Sequence, residues 1–146
     1  MKKNELLILK QLNGYLPKNK PIINTSRYHR FDAYNDDYII EIKYRHKKYN
    51  EYIIEFDKYA YNKLYAEMYG LKFLYVVGVD EDKHLNSFDI YTFNITNLDK
   101  AGYMYKWEMR PMPKQTEFEK NWDINKFVGY LEPWAASKKI IGLKQD

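Results

Sequence analysis

The segment from Lys72 to Val79 constrains the fold most, because it is a nearly continuous run of apolar residues that ends in an acidic turn. Such a run is typical of a strand buried on both faces in the centre of a sheet. The segment from Ser87 to Asn94 is predicted to be a second strand and its antiparallel partner. The chain is therefore expected to have a sheet at its centre.

A helix is predicted just before this run, over roughly Glu51 to Tyr69, and Gly70 is expected to end it. Apolar residues recur there at helical spacing, at Ile53, Phe56, Ala60, Leu64 and Met68. A helix that leads directly into a buried strand indicates the α/β class.

The N-terminal part is predicted to add one helix and two or three strands. Asn4 can cap a helix that continues to Gly14, with its apolar stripe facing the sheet. A short strand is expected from Ile22 to Asn24. Two longer strands are expected over Arg27 to Tyr34 and Asp37 to Arg45, joined by a two-residue turn at Asn35-Asp36.

The C-terminal third is less regular in sequence. A strand is predicted from Tyr103 to Arg110, followed by a rigid loop at residues 111–113 and a mixed tail from Trp122. We therefore expect a single domain over residues 1–146, with a core over about 1–95 and an irregular aromatic C-terminal extension over about 96–146.

Composition limits the function classes. The 146 residues are 45% hydrophobic and 30% charged, which indicates a globular domain. The absence of cysteine excludes disulfides, thiolate nucleophiles and thiolate metal sites. No stretch approaches the roughly 20 apolar residues that a membrane span needs, so no membrane partner and a cytoplasmic location are expected. The net charge of +4 is compatible with a polyanionic partner.

The strand from Asp37 to Arg45 alternates, with Glu41 and Lys43 on one face and Ile40 and Ile42 on the other. If Asn35-Asp36 is the turn, Tyr34 pairs with Asp37. Asp32 then lies opposite Ile39, with Glu41 as its diagonal neighbour about 7–8 Å away. Two carboxylates and an ammonium group would share one face of the hairpin.

These residue types fit phosphodiester hydrolysis. A magnesium ion polarises the phosphate and lowers the pKa of the attacking water. It is held by one or two carboxylates with water in the remaining positions. A nearby lysine offsets charge that develops on the phosphate. Asp32, Glu41 and Lys43 are therefore the candidate catalytic residues.

An ordinary solvated face is the alternative, because Glu81-Asp82-Lys83 repeats the Glu-x-Lys spacing in a predicted turn. Three features favour the catalytic interpretation. Asp32 lies on the predicted partner strand and on the same face. The strand is followed by a basic loop and an amphipathic helix. Glu5 lies in line with the apolar residues of the first helix, so it is expected to point towards the sheet.

Asp32 followed by Glu41-Ile42-Lys43 in an α-β-β-β-α-β order resembles the PD-(D/E)xK nuclease superfamily, which includes restriction endonucleases and Holliday junction resolvases. The resemblance covers about residues 1–80 and implies a restriction-endonuclease-like core, in which a mixed β-sheet is flanked by helices. It implies Asp32 and Glu41 as metal ligands with the Ile42 carbonyl, and Lys43 as the catalytic lysine. Glu5 would correspond to an acidic residue of the first helix in some members.

The sequence departs from the pattern in two places. Phe31 stands where the motif has proline, and the helix after the motif lacks the glutamine of many exonuclease-like members. Lys58 is the nearest polar residue there. Lys58 is assigned with Arg45, Lys47 and Lys48 to nucleic-acid contact.

The aromatic residues of the C-terminal third have two interpretations. They could stack on bases, or they could fill a core or a dimer interface. They are Trp107, Trp122, Tyr130 and Trp134.

The leading hypothesis is a magnesium-dependent deoxyribonuclease, most simply an endonuclease, with manganese as a substitute ion. A homodimer is expected, because junction-cleaving relatives make two cuts. The expected location is the cytoplasm of a bacterium or of a phage-infected host. The alternatives are an inactive nuclease-fold module that binds DNA or protein, and a phage-encoded inhibitor.

Overall fold

The computed structural model describes residues 1–12, 15–16, 22–23, 30–113 and 123–144. Its helices are α1 (Lys3–Leu12), α2 (Phe56–Tyr69) and α3 (Ile95–Lys100). Its strands are β1 (Ile22–Ile23), β2 (Ala33–Tyr34), β3 (Tyr38–Arg45), β4 (Tyr52–Glu55), β5 (Lys72–Val79), β6 (Ser87–Asn94), β7 (Glu108–Pro113), β8 (Asp123–Leu131) and β9 (Lys138–Leu143).

Within the described residues the strands form two sheets. Six strands lie in the order β1-β2-β3-β5-β6-β9, and three in the order β4-β8-β7. In the larger sheet β3 and β5 are parallel, whereas the other neighbouring pairs are antiparallel. The chain is therefore α/β with a mixed sheet, as the sequence predicts.

The larger sheet separates two apolar cores. On one face α1 packs its buried Ile8 and Leu12 against Ile40 and Ile42 of β3. On the other face α2 and the smaller sheet cover Ile39 and the alternate residues of β5. Because β5 is covered on both faces, Phe73 to Val79 are all buried. The prediction of a central buried strand with β6 as its antiparallel partner is confirmed.

The helix predicted from Glu51 begins only at Phe56, because residues 52–55 form β4 instead. Tyr52 and Ile54 are buried and pair with β8, so a period of two applies where a helical period was expected. The predicted apolar face is also wrong, since Leu64 and Met68 are exposed. The buried helix residues are Asn62 and Ala66.

The described C-terminal part is not an irregular extension. β9 pairs with β6 at the edge of the larger sheet, and β8 forms the centre of the smaller one. The predicted strand from Tyr103 starts later, at Glu108, and includes the segment expected to be a rigid loop. Its prolines are tolerated because β7 is an edge strand.

Helix α3 was not predicted from the sequence. The Asn94 side chain caps it by accepting a hydrogen bond from the Asn97 N–H. None of the helices in the described ranges is long and apolar enough to span a membrane. Gly14, Asn24, Arg27 and Trp122 lie outside the described residues.

Candidate active site

The hairpin that carries the predicted site has a different register from the one expected. Tyr34 pairs with Ile39 and Ala33 with Ile40, so Tyr34 does not pair with Asp37. The Asn35 side chain accepts hydrogen bonds from the N–H groups of Asp37 at 2.9 Å and Tyr38 at 2.7 Å. This side-chain bonding moves the turn one residue along the chain.

The shifted register preserves the predicted grouping. Moving the turn by one residue changes each pairing by two, and a change of two leaves side chains on their original faces. Asp32 comes level with Glu41 instead of Ile39. β2 begins just after Asp32, whose N–H donates to the Ile40 carbonyl at 2.8 Å.

The Asp32 carboxylate lies at the edge of β3. Its Oδ2 accepts a hydrogen bond from the Ile42 N–H at 2.7 Å. Burial, and then the nearby charge of Glu41, raise the pKa of Asp32 to about 7; Glu5 adds to this rise, while the Ile42 N–H and Lys43 oppose it. The predicted acidic residues therefore lie within electrostatic range of one another.

Glu41 is buried and paired with two lysines. Its side chain is 4% exposed, and its Oε1 lies 3.0 Å from the Lys58 Nζ and 3.4 Å from the Lys43 Nζ. Burial acts to lower the pKa of Lys43, but the Glu41 carboxylate and other polar neighbours together raise it. Lys43 is therefore held in its charged form beside the two acids.

Lys58 has a position that the sequence did not indicate. It lies in the first turn of α2, and its ammonium group donates to Glu41. Its contact with nucleic acid stays a prediction. Because α2 begins at Phe56 rather than near Glu51, Lys58 lies close to the helix end that faces β3.

A cleft of about 490 Å³ opens beside these residues, and we call it the basic cleft. It is lined by Lys2, Asn4, Glu5, Lys43, Tyr44, Arg45, His46, Ile53, Glu55, Lys58, Tyr75, Met112 and Lys126. Lysine and arginine outnumber the two acidic residues in this lining. Such a surface attracts a polyanion.

The other predicted site residues divide between the cleft and the surface around it. Glu5 lines the cleft, and its Oε2 accepts a hydrogen bond from the Lys2 N–H at 3.1 Å. Arg45 lines it as well. Lys47 instead lies over the Tyr49 ring, and the Lys48 N–H donates to Glu81.

The sequence did not indicate the contribution of the smaller sheet. Lys126 of β8 and Glu55 of β4 form an ion pair of 2.7 Å that lines the basic cleft. These residues are 71 positions apart in sequence. Only the pairing of β4 with β8 brings them together, and no local pattern signals that pairing.

The structure offers oxygen ligands of the kind that magnesium prefers at Asp32 and Glu41. Among the residues that it describes, no group of three or more His, Cys, Asp or Glu side chains is placed to hold a metal ion. Asp32 and Glu41 nevertheless supply two carboxylates, and magnesium needs only one or two when water completes its shell. Burial, and then the charge of Glu41, raise the pKa of Asp32, and a divalent cation at these carboxylates would oppose that rise by favouring the ionised form.

No family model matches the chain, and no curated protein or solved structure shows significant similarity to it. The assignment of function therefore depends on the residues of this site.

Proposed function

We propose that the protein is a magnesium-dependent deoxyribonuclease with a restriction-endonuclease-like core. The observation that supports this most is the grouping of Asp32, Glu41 and Lys43 beside the basic cleft. Asp32 directly precedes β2 and Glu41 lies in β3, yet the charge of Glu41 raises the pKa of Asp32. The cleft supplies the positive surroundings that a nucleic-acid backbone needs.

Asp32 and Glu41, with the Ile42 carbonyl, would hold the ion. Bound magnesium supplies polarisation of a phosphate and a lowered pKa of bound water. Asp32 must lose its proton before it can act as a ligand, and a bound cation would favour that loss by lowering the pKa that burial and Glu41 raise to about 7. Lys43 adds a fixed positive charge against a phosphate in the cleft.

Glu5 lines the same cleft and contributes to the negative potential at Asp32. It is therefore the third acidic residue of the proposed site. Lys58 occupies one oxygen of Glu41. If Glu41 held an ion instead, the Lys58 ammonium would be free to pair with a phosphate in the cleft. DNA is the proposed partner, while the homodimer and the cytoplasmic location stay predictions.

A second candidate is a nucleic-acid-binding module with no turnover. It is favoured by the two lysines that already neutralise Glu41 in this structure. The two candidates differ in their dependence on ions, since a module of this kind binds through the basic cleft with or without magnesium.

The experiment is a cleavage assay on plasmid, linear, single-stranded and four-way-junction DNA, with and without magnesium or manganese. Asp32→Asn keeps an oxygen to accept the Ile42 N–H but removes the charge. We expect ion-dependent cleavage by the wild type and a loss of roughly a hundredfold or more in Asp32→Asn. Asp36→Asn, in the hairpin turn, is the matched control and should cleave normally.

Absence of ion-dependent cleavage on every substrate would refute the nuclease proposal. If that protein still binds DNA equally with and without magnesium, the binding module is the better account.

A further inference from the structure

Three aromatic rings form a ladder that runs from the core beside the smaller sheet to the surface. Tyr105 is buried, and its ring lies 5.2 Å from that of Trp107 at an interplanar angle of 30°. Trp107 lies 5.8 Å from Phe127 at 27°. Phe127 is 40% exposed. We call these residues the aromatic ladder; its outer end is available to another flat ring.

The surrounding residues hold the ladder in place. Trp107 packs on the backbone at Gly129, where an added Cβ would lie 2.8 Å from the indole ring. Phe56, at the start of α2, makes edge contacts with Trp107 at 5.1 Å and with Phe127 at 5.3 Å. Tyr59 lies 4.9 Å from Trp107. A ring fixed in this way loses little conformational entropy when a ligand stacks on it.

The outer end of the ladder adjoins the basic cleft. Phe56 and Phe127 line a shallow depression of about 270 Å³ together with Ile124. Glu55 and Lys126 line both this depression and the basic cleft, so the two adjoin at this ion pair.

The acidic groups at this boundary are compensated. Glu55 is paired with Lys126 at 2.7 Å, and Asp57 with Arg30 at 2.7 Å. A negatively charged nucleic-acid strand can therefore pass from the cleft to the exposed rings without meeting an uncompensated carboxylate at these positions.

We propose that the exposed end of the aromatic ladder stacks an unpaired nucleobase of a strand whose phosphates lie in the basic cleft. The inference rests on the proposed function, because it takes the cleft to be the path of the phosphates. It narrows the substrate class to nucleic acid with a single-stranded segment next to the site. Aromatic rings beside a positive groove bind single strands in this way, because every base has a flat face.

The charge distribution favours a nucleic acid over a protein as the occupant. Apolar contact alone would suit either, but this patch shares Lys126 with the basic cleft, whose lining holds three further lysines and Arg45. The phosphates of a strand whose base stacks on the ladder would need cations nearby. An apolar protein surface would not need them.

The test measures binding of a fluorescent oligothymidylate and of a blunt duplex by anisotropy, with no divalent cation present. Phe127→Leu keeps an apolar side chain but removes the ring. We expect it to bind the oligothymidylate at least about fivefold more weakly and the duplex as the wild type does. Phe127→Trp keeps a ring and should bind the single strand as well as the wild type or better. Ile141→Ala removes an exposed apolar side chain on β9 and should change neither affinity.

Equal single-strand binding by Phe127→Leu and the wild type overturns the inference. Equal weakening for both DNA forms, or no single-strand binding by the wild type, overturns it as well. If Phe127→Leu fails to fold, Phe56→Leu and Phe127→Trp decide the question. The binding assay contains no metal, so a protein that cannot cleave DNA can still show ring-dependent binding. Failure of the nuclease proposal is detected separately, in the cleavage assay.

Discussion

The chain contains the same Glu-x-Lys spacing in two environments. Glu41 and Lys43 lie in a strand of the larger sheet, where Glu41 is 3% exposed. Glu81 and Lys83 lie in the exposed loop between β5 and β6. There the Glu81 carboxylate accepts a hydrogen bond only from a backbone N–H, that of Lys48, among the described contacts.

The difference shows what turns a charge pattern into a candidate site. In the strand, burial strengthens each electrostatic interaction and brings a second acid, Asp32, into range. In the loop, water screens the same charges. A substitution at the buried site should therefore have a larger effect than a matched substitution at an exposed loop or turn.

The largest expected effect is on stability. Glu41→Ala leaves Lys43 and Lys58 without their shared partner, so it should lower the free energy of unfolding by about 3 kcal/mol. Glu81→Ala should change it by less than about 0.5 kcal/mol. Urea denaturation of both variants measures the difference. Similar losses in the two variants would show that burial does not strengthen the pairing of Glu41 with Lys43 and Lys58.

The next effect is on cleavage. Glu41→Gln retains the side-chain volume but removes the charge proposed to hold magnesium, so cleavage should fall roughly a hundredfold or more. Glu81→Gln should cleave within about twofold of the wild type. The rates are compared at saturating magnesium, on whichever DNA the wild type cleaves best. Full activity in Glu41→Gln would remove Glu41 from the site.

A smaller effect is expected in the pH dependence of stability without divalent cations. The pKa of Asp32 is about 7 in the folded protein, whereas an exposed aspartate of the unfolded chain has the ordinary value of 3.8. The folded state therefore binds more protons between these values, and the free energy of unfolding falls as the pH rises from about 4 to about 7. The change should be on the order of 3 kcal/mol.

Asp32→Asn should lose this slope, whereas Asp36→Asn should keep it. Thermal or urea denaturation at several pH values gives the comparison. An unchanged slope in Asp32→Asn would mean that Asp32 is ionised in the folded protein at acidic pH, contrary to its burial beside Glu41.

The smallest effect concerns competition for Glu41. Lys58→Met removes one of the two ammonium groups at Oε1, so magnesium should bind severalfold more tightly. Lys83→Met should leave magnesium affinity unchanged. Calorimetric titration measures both. Weaker binding in Lys58→Met would indicate that Lys58 supports the ion site rather than competing for it.

The sequence predicted the parts of the fold that have one clear period. The strands were predicted correctly from the apolar run over Lys72 to Val79 and from the alternation over Asp37 to Arg45. Each pattern is visible in the residue order itself. β4 was missed because two isoleucines next to Phe56 satisfy a helical period equally well. Only pairing with β8 decides between the two.

The candidate site was predicted in its members but not in its detail. Asp32, Glu41 and Lys43 share one face in both the expected and the observed register, because a change of two in the pairing preserves side-chain direction. The pairing of Lys58 with Glu41 and the approach of Lys126 were not predictable. Both depend on how α2 and the smaller sheet pack on β3, and packing of distant segments has no local signal.

The central claim is that a divalent cation binds where Asp32 and Glu41 meet. The Ile42 N–H is a direct reporter, because it donates to the Asp32 carboxylate. In a magnesium titration followed by amide NMR, its resonance should shift and saturate in the wild type, while the Glu81 and Lys83 amides stay in place. In Asp32→Asn it should not respond. An Ile42 resonance that stays fixed in the wild type at millimolar magnesium would contradict the account.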